Sequence, residues 1–247
     1  MLRHIGSEIL VKEINFDELI VGFIMKNILL FGGGLHANYC IDIIKKEGKY
    51  NIIGITDSIK EIGTELYGYK VIGRQEQLQE LINKYNIHGG IITIGDNWSR
   101  KIVYDQIKKI IPDFKFVNAI HPSTIIGMNV KLGVGIVIMA GCIINPNSII
   151  GDFCFLATGA QLDHDCKMGD YSSISAGSVT GGKVNIGKYS AITLGVTIMD
   201  RLNIGENTVV GSGSLVTKDL PDNVLSYGNP AKIIRYRQLG EKYLKSN

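Results

Sequence analysis

The sequence predicts a chain in two parts: an α/β Rossmann-like half domain, then a parallel β-helix of hexapeptide repeats closed by a C-terminal capping helix. Three observations predict it. From Ile120 to Val216 every sixth residue is apolar, with Thr180 the one exception. Gly133, Gly151, Gly169, Gly187 and Gly205 recur every eighteen residues, each directly after an apolar position. Before Ile120 the pattern changes to strands alternating with amphipathic helices, and a glycine-rich turn follows the first strand.

A period of six fits neither a helix nor a long alternating strand, but it fits a short strand and a corner, repeated. Four residues after each apolar position stands a usually smaller one, as at Cys142, Ser148, Cys154, Ala160 and Cys166. Each hexapeptide therefore carries one large and one compact inward residue. The glycine spacing implies three hexapeptides per coil, with glycine where the corner wants an unusual backbone angle, so the section is triangular. Roughly five and a half such coils, stacked at about 4.8 Å, bury a continuous aliphatic ladder that no single coil could bury alone.

Ahead of the ladder, Asn27 to Phe31 reads as a buried strand, followed by the turn Gly32-Gly33-Gly34-Leu35-His36-Ala37 and a helix carrying Ile41, Ile43 and Ile44. A strand from Ile52 to Thr56 ends at Asp57. A helix around Gln75 to Tyr85, a strand from Gly90 to Ile94, a helix through Ile110 and a last strand from Phe114 to Ala119 follow. Gly32, Gly34 and Ala37 match G-x-G-x-x-A, where backbone amides hold phosphate and an acid such as Asp57 takes a ribose hydroxyl. A second mononucleotide half is missing, so a nucleoside diphosphate sugar fits better than NAD. His121-Pro122 marks the junction, because proline forces the preceding residue out of helix.

The boundaries are then 1–25 for an N-terminal extension, 26–119 for the nucleotide-sugar-binding domain, 120–220 for the β-helix and 221–247 for a tail whose segment Ile233 to Leu244 caps the open end. The first residues mix Arg3 and Lys12 with Glu8, Glu13, Asp17 and Glu18 and do not resemble a signal peptide, and Met25 is an alternative start. A net charge of +3 argues for neither nucleic acid nor an anionic membrane as partner. Cys142, Cys154 and Cys166 fall in the compact inward column, so they read as packing thiols rather than a zinc site or disulfides, in keeping with a reducing cytoplasm.

One repeat departs from filler: Gln161-Leu162-Asp163-His164-Asp165-Cys166. Leu162 and Cys166 point inward, so His164 projects outward between two acids, either of which can hold its imidazole in one tautomer and raise its basicity. His4, His36, His88 and His121 all lie outside the repeats, so no three-histidine metal site is expected.

The ladder, His164 with an acid after it, the turn Gly32 to His36, the segment Ile94-Gly95-Asp96-Asn97 with Arg100, and the Gly228-Asn229-Pro230-Ala231-Lys232 tail together resemble the two-domain left-handed β-helix acetyltransferases, which include nucleotide-aminosugar N-acetyltransferases and sialic acid O-acetyltransferases. The resemblance spans residues 26 to 237. It implies left-handedness, a homotrimer with active sites between subunits, acetyl-CoA as cosubstrate without a metal, His164 as general base and Asp165 as the acid that raises its basicity. It also implies Ser173, Gly182, Leu194 and Lys232 on the acetyl-CoA side, and Gly34, Leu35, His36 and Asp57 on the nucleotide-sugar side.

The expected activity is direct acetyl transfer from acetyl-CoA to the amine of a nucleotide-linked aminosugar in surface glycan or polysaccharide synthesis. An O-acetyltransferase acting on a sialic-acid-type sugar makes the same demand on the base. A non-catalytic nucleotide-sugar-binding accessory protein would need neither His164 nor the CoA-side tail. A flat prism face offers only a shallow site, and a neighbouring subunit supplies the missing wall.

Overall fold

The computed structural model describes residues 25–244, so the N-terminal extension, apart from Met25, lies outside the described residues. The first part is a five-stranded sheet of order β3-β4-β2-β1-β5. It contains β1 (Lys26–Phe31), α1 (Leu35–Glu47), β2 (Tyr50–Thr56), β3 (Glu65–Leu66), β4 (Tyr69–Gly73), α2 (Leu78–Tyr85), β5 (Gly89–Ile92) and α3 (Asn97–Ile110). Parallel pairing of β1 with β2 and β5 brings the loops after β1, β2 and β5 to one edge. That edge is where α/β sheets bind ligands. The short antiparallel pair β3–β4 was not foreseen: β3 has only two residues and, unlike the coil strands, belongs to no repeat.

The predicted last strand is absent. Phe116 makes one isolated bridge to Gly90, while Phe114 and Phe116 turn their rings onto Phe31 at 5.5 and 6.5 Å between centroids. Aromatic packing takes those side chains, and Ala119–Ile120 already forms the first coil strand.

From Ala119 the chain winds through two-residue parallel strands that pair at a spacing of eighteen, for instance Ile143 with Gln161 and Phe155 with Ser173. Three sheets form the three faces of the prism. Its core is the anticipated ladder: Ile138, Ile144, Ile150, Leu156 and Leu162 are fully enclosed, as are the compact Cys142, Ala160 and Cys166 between them.

The turns correct one expectation. The third residue after each rung adopts positive φ at every corner from Asn129 to Gly213, whereas Gly133, Gly151, Gly169, Gly187 and Gly205 do not. Those five are glycine for lack of room. A Cβ on Gly169 would stand 2.7 Å from the Lys188 nitrogen of the next coil, and one on Gly187 would stand 2.5 Å from that of Glu206.

The C-terminal cap is also corrected: it is a hairpin, not a helix. Val224–Gly228 pairs in parallel with Val209–Val210, and Ala231–Tyr236 pairs antiparallel with it. A strand satisfies the N–H and C=O groups that the last coil leaves unpaired, which a helix cannot do. Adjacent β-branched Ile233 and Ile234 also favour the extended chain.

One prism face is covered by the first part. Val137, Phe155 and Ala157 pack with Cys40, Ile41 and Ile44 of α1 in a shared core. At one corner Phe153, Tyr171 and Tyr189 stack at 5.1 and 5.5 Å, and α3 is bonded to that corner's backbone. Arg100 donates to the Phe153 and Tyr171 carbonyls, and Asn97 to those of Tyr189 and Ser190. The aromatic column stands at eighteen-residue spacing in the sequence, a signal that could have marked this docking corner.

Candidate active site

His164 occupies a corner between the two faces that the first part leaves open. Its Nδ1 lies 2.7 Å from Asp165 Oδ2. Asp165 sits at a positive-φ corner position (φ 58°), a conformation that aspartate tolerates better than most residues. That backbone geometry turns its carboxylate toward the ring of the preceding residue. Asp163, the other flanking acid, is used differently: its Oδ1 accepts the His164 backbone N–H at 2.8 Å and the Asn145 amide at 3.0 Å. The hydrogen bond with His164 holds Asp165 below the ordinary carboxylate range, with help from Asn147 and Lys183. An ionised carboxylate accepts only, so Nδ1 carries the hydrogen and the free lone pair is on Nε2.

Beneath the ring lies Gly182, one coil on; a Cβ there would stand 2.5 Å from Nε2. Thr180, the single break in the apolar ladder, accepts the Asp163 backbone N–H with its hydroxyl at 3.2 Å. The local departure from the core pattern thus coincides with the chemical corner. His164 is half-exposed, and the missing side chain at Gly182 is what gives its ring room over the coil.

The second cluster lies at the binding edge of the sheet. A cavity of about 670 Å³ is lined by Gly34, Leu35, His36 and Asp57, with Gln75 and Thr93 among the residues not foreseen. Gly32 turns with φ 110°. Burial works against ionising Asp57, but backbone N–H groups of Lys60, Ile59 and Gly33 at 2.7–2.9 Å outweigh it and lower its pKa. Asp57 therefore fixes the glycine turn, and no described protein group occupies the start of α1 through a side-chain cap.

His36 is held differently. Its Nε2 is enclosed without a hydrogen-bond partner, its ring lies 4.4 Å from Phe155, and burial followed by the charge of Arg100 lowers its pKa to about 4. It is neutral at physiological pH, with one polar atom that lacks a protein partner.

The residues assigned to the acetyl-CoA side are scattered in a single chain. Gly182 adjoins His164. Leu194 is exposed two corners further along the chain, at an edge of the covered face, and lines two smaller cavities. Ser173 is fully buried on the covered face, with its hydroxyl 3.2 Å from that of Tyr243. Lys232 is exposed in the terminal hairpin and lines none of these cavities. Tyr243 and Leu244 escaped the sequence reading because nothing in a short polar tail predicts where it docks.

A family model described as the PglD N-terminal domain matches residues 27–107. A point mutant of the GDP-perosamine N-acetyltransferase from Caulobacter crescentus, in complex with CoA and GDP-perosamine, is similar at 34% identity and a TM-score of 0.78, over 84% of this chain and 96% of that chain. The acetyltransferase domain of PglB from Neisseria gonorrhoeae is similar at 25% identity and a TM-score of 0.77, over 85% and 100%. That domain has also been solved in complex with acetyl coenzyme A.

Proposed function

The chain belongs to the left-handed β-helix sugar N-acetyltransferases, enzymes dependent on CoA thioesters, and from that premise we propose that it transfers acetyl from acetyl-CoA to the amine of a nucleotide-linked aminosugar. The observation that carries the proposal is the 2.7 Å contact of His164 Nδ1 with Asp165, which leaves Nε2 as a base aimed outward.

Acetyl-CoA supplies the acyl group as a thioester. His164 Nε2 takes the proton from the attacking amine as the C–N bond forms and the C–S bond breaks, and passes it to the departing sulfur. Asp165 stabilises the imidazolium in between. Transfer is direct. The nearest thiol, Cys166, is fully buried, and burial pushes its pKa up, so it offers no nucleophile.

The nucleotide lies in the 670 Å³ cavity against the glycine turn, with phosphate at the start of α1. The partnerless His36 Nε2 then gains a hydroxyl or phosphate partner from the bound acceptor. His164 and this cavity stand at different corners, which supports a homotrimer in which His164 of one subunit serves the trough of its neighbour. Among the described residues no helix is long and apolar enough to cross a membrane; we place the enzyme in the cytoplasm, in surface glycan synthesis, on the side of its two cosubstrates.

The test is thiol release from acetyl-CoA with UDP-, dTDP-, GDP- and CMP-linked aminosugars, followed by hydroxylamine treatment of the product. A hydroxylamine-stable amide is expected. A labile ester would assign the chemistry to a hydroxyl instead, and no turnover with any of the four would refute the acceptor class.

A further inference from the structure

Three cavities adjoin along the junction of the glycine turn, the coil face and the C-terminal segment. The large one at the glycine turn is followed by one of about 330 Å³, walled by His36, Met139, Phe155 and Leu194, and then by one of about 340 Å³ that reaches Arg235. Leu244 lines all three, and Tyr243 lines the last two.

The segment from Arg235 to Tyr243 is tied down at this position. The Tyr243 hydroxyl donates to the Gly95 carbonyl at 3.3 Å and lies 3.2 Å from Ser173 Oγ. Its backbone N–H reaches Asp96 Oδ2 at 3.3 Å. Upstream, Arg235 and Arg237 both grip Glu241. Gly240 packs on Trp98, where a Cβ would stand 3.0 Å from the indole nitrogen. Asp96 in turn caps α3 through the Ser99 N–H, so the tail is anchored to an element fixed on both parts of the molecule.

We propose that, given the acceptor reading of this trough, Tyr243 and Leu244 belong to the acceptor site: Leu244 is the specificity-determining wall between the seat of the nucleotide and the coil-side seat of the sugar, and Tyr243 positions the Gly95 turn against Ser173. An aminosugar that reaches from the glycine turn toward the coils passes Leu244, because among the described residues no other side chain faces all three compartments. The middle compartment is mostly apolar, with Met139, Phe155, Ala157, Ala176 and Leu194 on its walls. It therefore selects sugars whose substituents on that side are small and unhydroxylated. Leu244 is 45% exposed, so trimming it leaves the core intact.

The experiment compares the full chain with Leu244→Ala and Tyr243→Phe, using the best of the four nucleotide aminosugars. Trp98 is the only tryptophan, so unchanged emission shows that the tail remains docked in each variant. Leu244→Ala is expected to raise KM for the aminosugar about tenfold while KM for acetyl-CoA and Tm stay put. Tyr243→Phe keeps the ring but loses the hydroxyl bonds, and is expected to raise the same KM severalfold. Unchanged aminosugar KM in both variants overturns the proposal, as does an effect confined to KM for acetyl-CoA. A full chain inactive on every aminosugar sinks the acceptor reading, and this proposal with it; an active full chain with indifferent variants sinks this proposal alone.

Discussion

The imidazole of His164 rests on Gly182, so close that a Cβ added to the glycine would stand 2.5 Å from Nε2. Gly182 does not have positive φ, so alanine is compatible with its backbone. Gly182→Ala should push the half-exposed ring aside and lower kcat by roughly one to two orders of magnitude, with Tm within about 2 °C of wild type. Steady-state kinetics and a thermal melt check both halves of this expectation.

His164→Ala should lower kcat by a factor on the order of 10² to 10⁴. Asp165→Asn keeps the shape but no longer offers only acceptors to Nδ1, so a loss of about tenfold or more is expected. Since the bond with His164 lowers the pKa of Asp165, its protonation should not shape the rate profile above about pH 4. Wild-type turnover in either variant would remove the pair from the mechanism.

His36 should make stability depend on pH. Its pKa falls from 6.5 to about 4 in the folded chain, chiefly through burial, so the unfolded state binds more protons between those values. Stability is undiminished above pH 6.5 and falls as pH drops toward 4, by no more than about 3 to 4 kcal/mol. His36→Gln should flatten that part of the curve in urea melts taken at a series of pH values. A slope identical to wild type would show that other groups govern the window.

Arg100 is a buried cation whose guanidinium donates to the Phe153, Ile94, Gly95 and Tyr171 carbonyls and to Asn97 Oδ1. Arg100→Met leaves those acceptors unpaired across the junction and should cost about 3 kcal/mol. Calorimetry should show Tm lowered by roughly 6 to 12 °C.

The ladder was legible because Ile138, Ile144 and their kin repeat a single constraint, an apolar side chain pointing inward, once every six residues. His164 was legible because it stands on the outward side of an intact rung between two acids. The residues alone leave Asp163 and Asp165 open, and the assignment of Asp165 rested on the resemblance; in the structure the acid at positive φ, Asp165, is the one that meets Nδ1. The Gly133 series was seen, but its reason was misread, since a need for space and a need for positive φ both select glycine. Asp57 was seen too, although its oxygens hold the turn itself. The cap was misjudged because pairing with Val209–Val210 decided it, and a contact between distant segments leaves no local trace. Tyr243 and Leu244 were illegible for the same reason.

The terminal hairpin grows directly from the last coil, and Tyr243 in the tail that leaves it is bonded to Asp96 and Gly95. The prism is therefore a ruler whose length is set in whole coils. Inserting eighteen residues between Tyr189 and Val209 would keep every pairing register yet lift the hairpin by about 4.8 Å, drawing Tyr243 off the Gly95 carbonyl and opening the trough. A chain with one coil more or fewer would need another segment to fill the place of Tyr243 against the Gly95 turn.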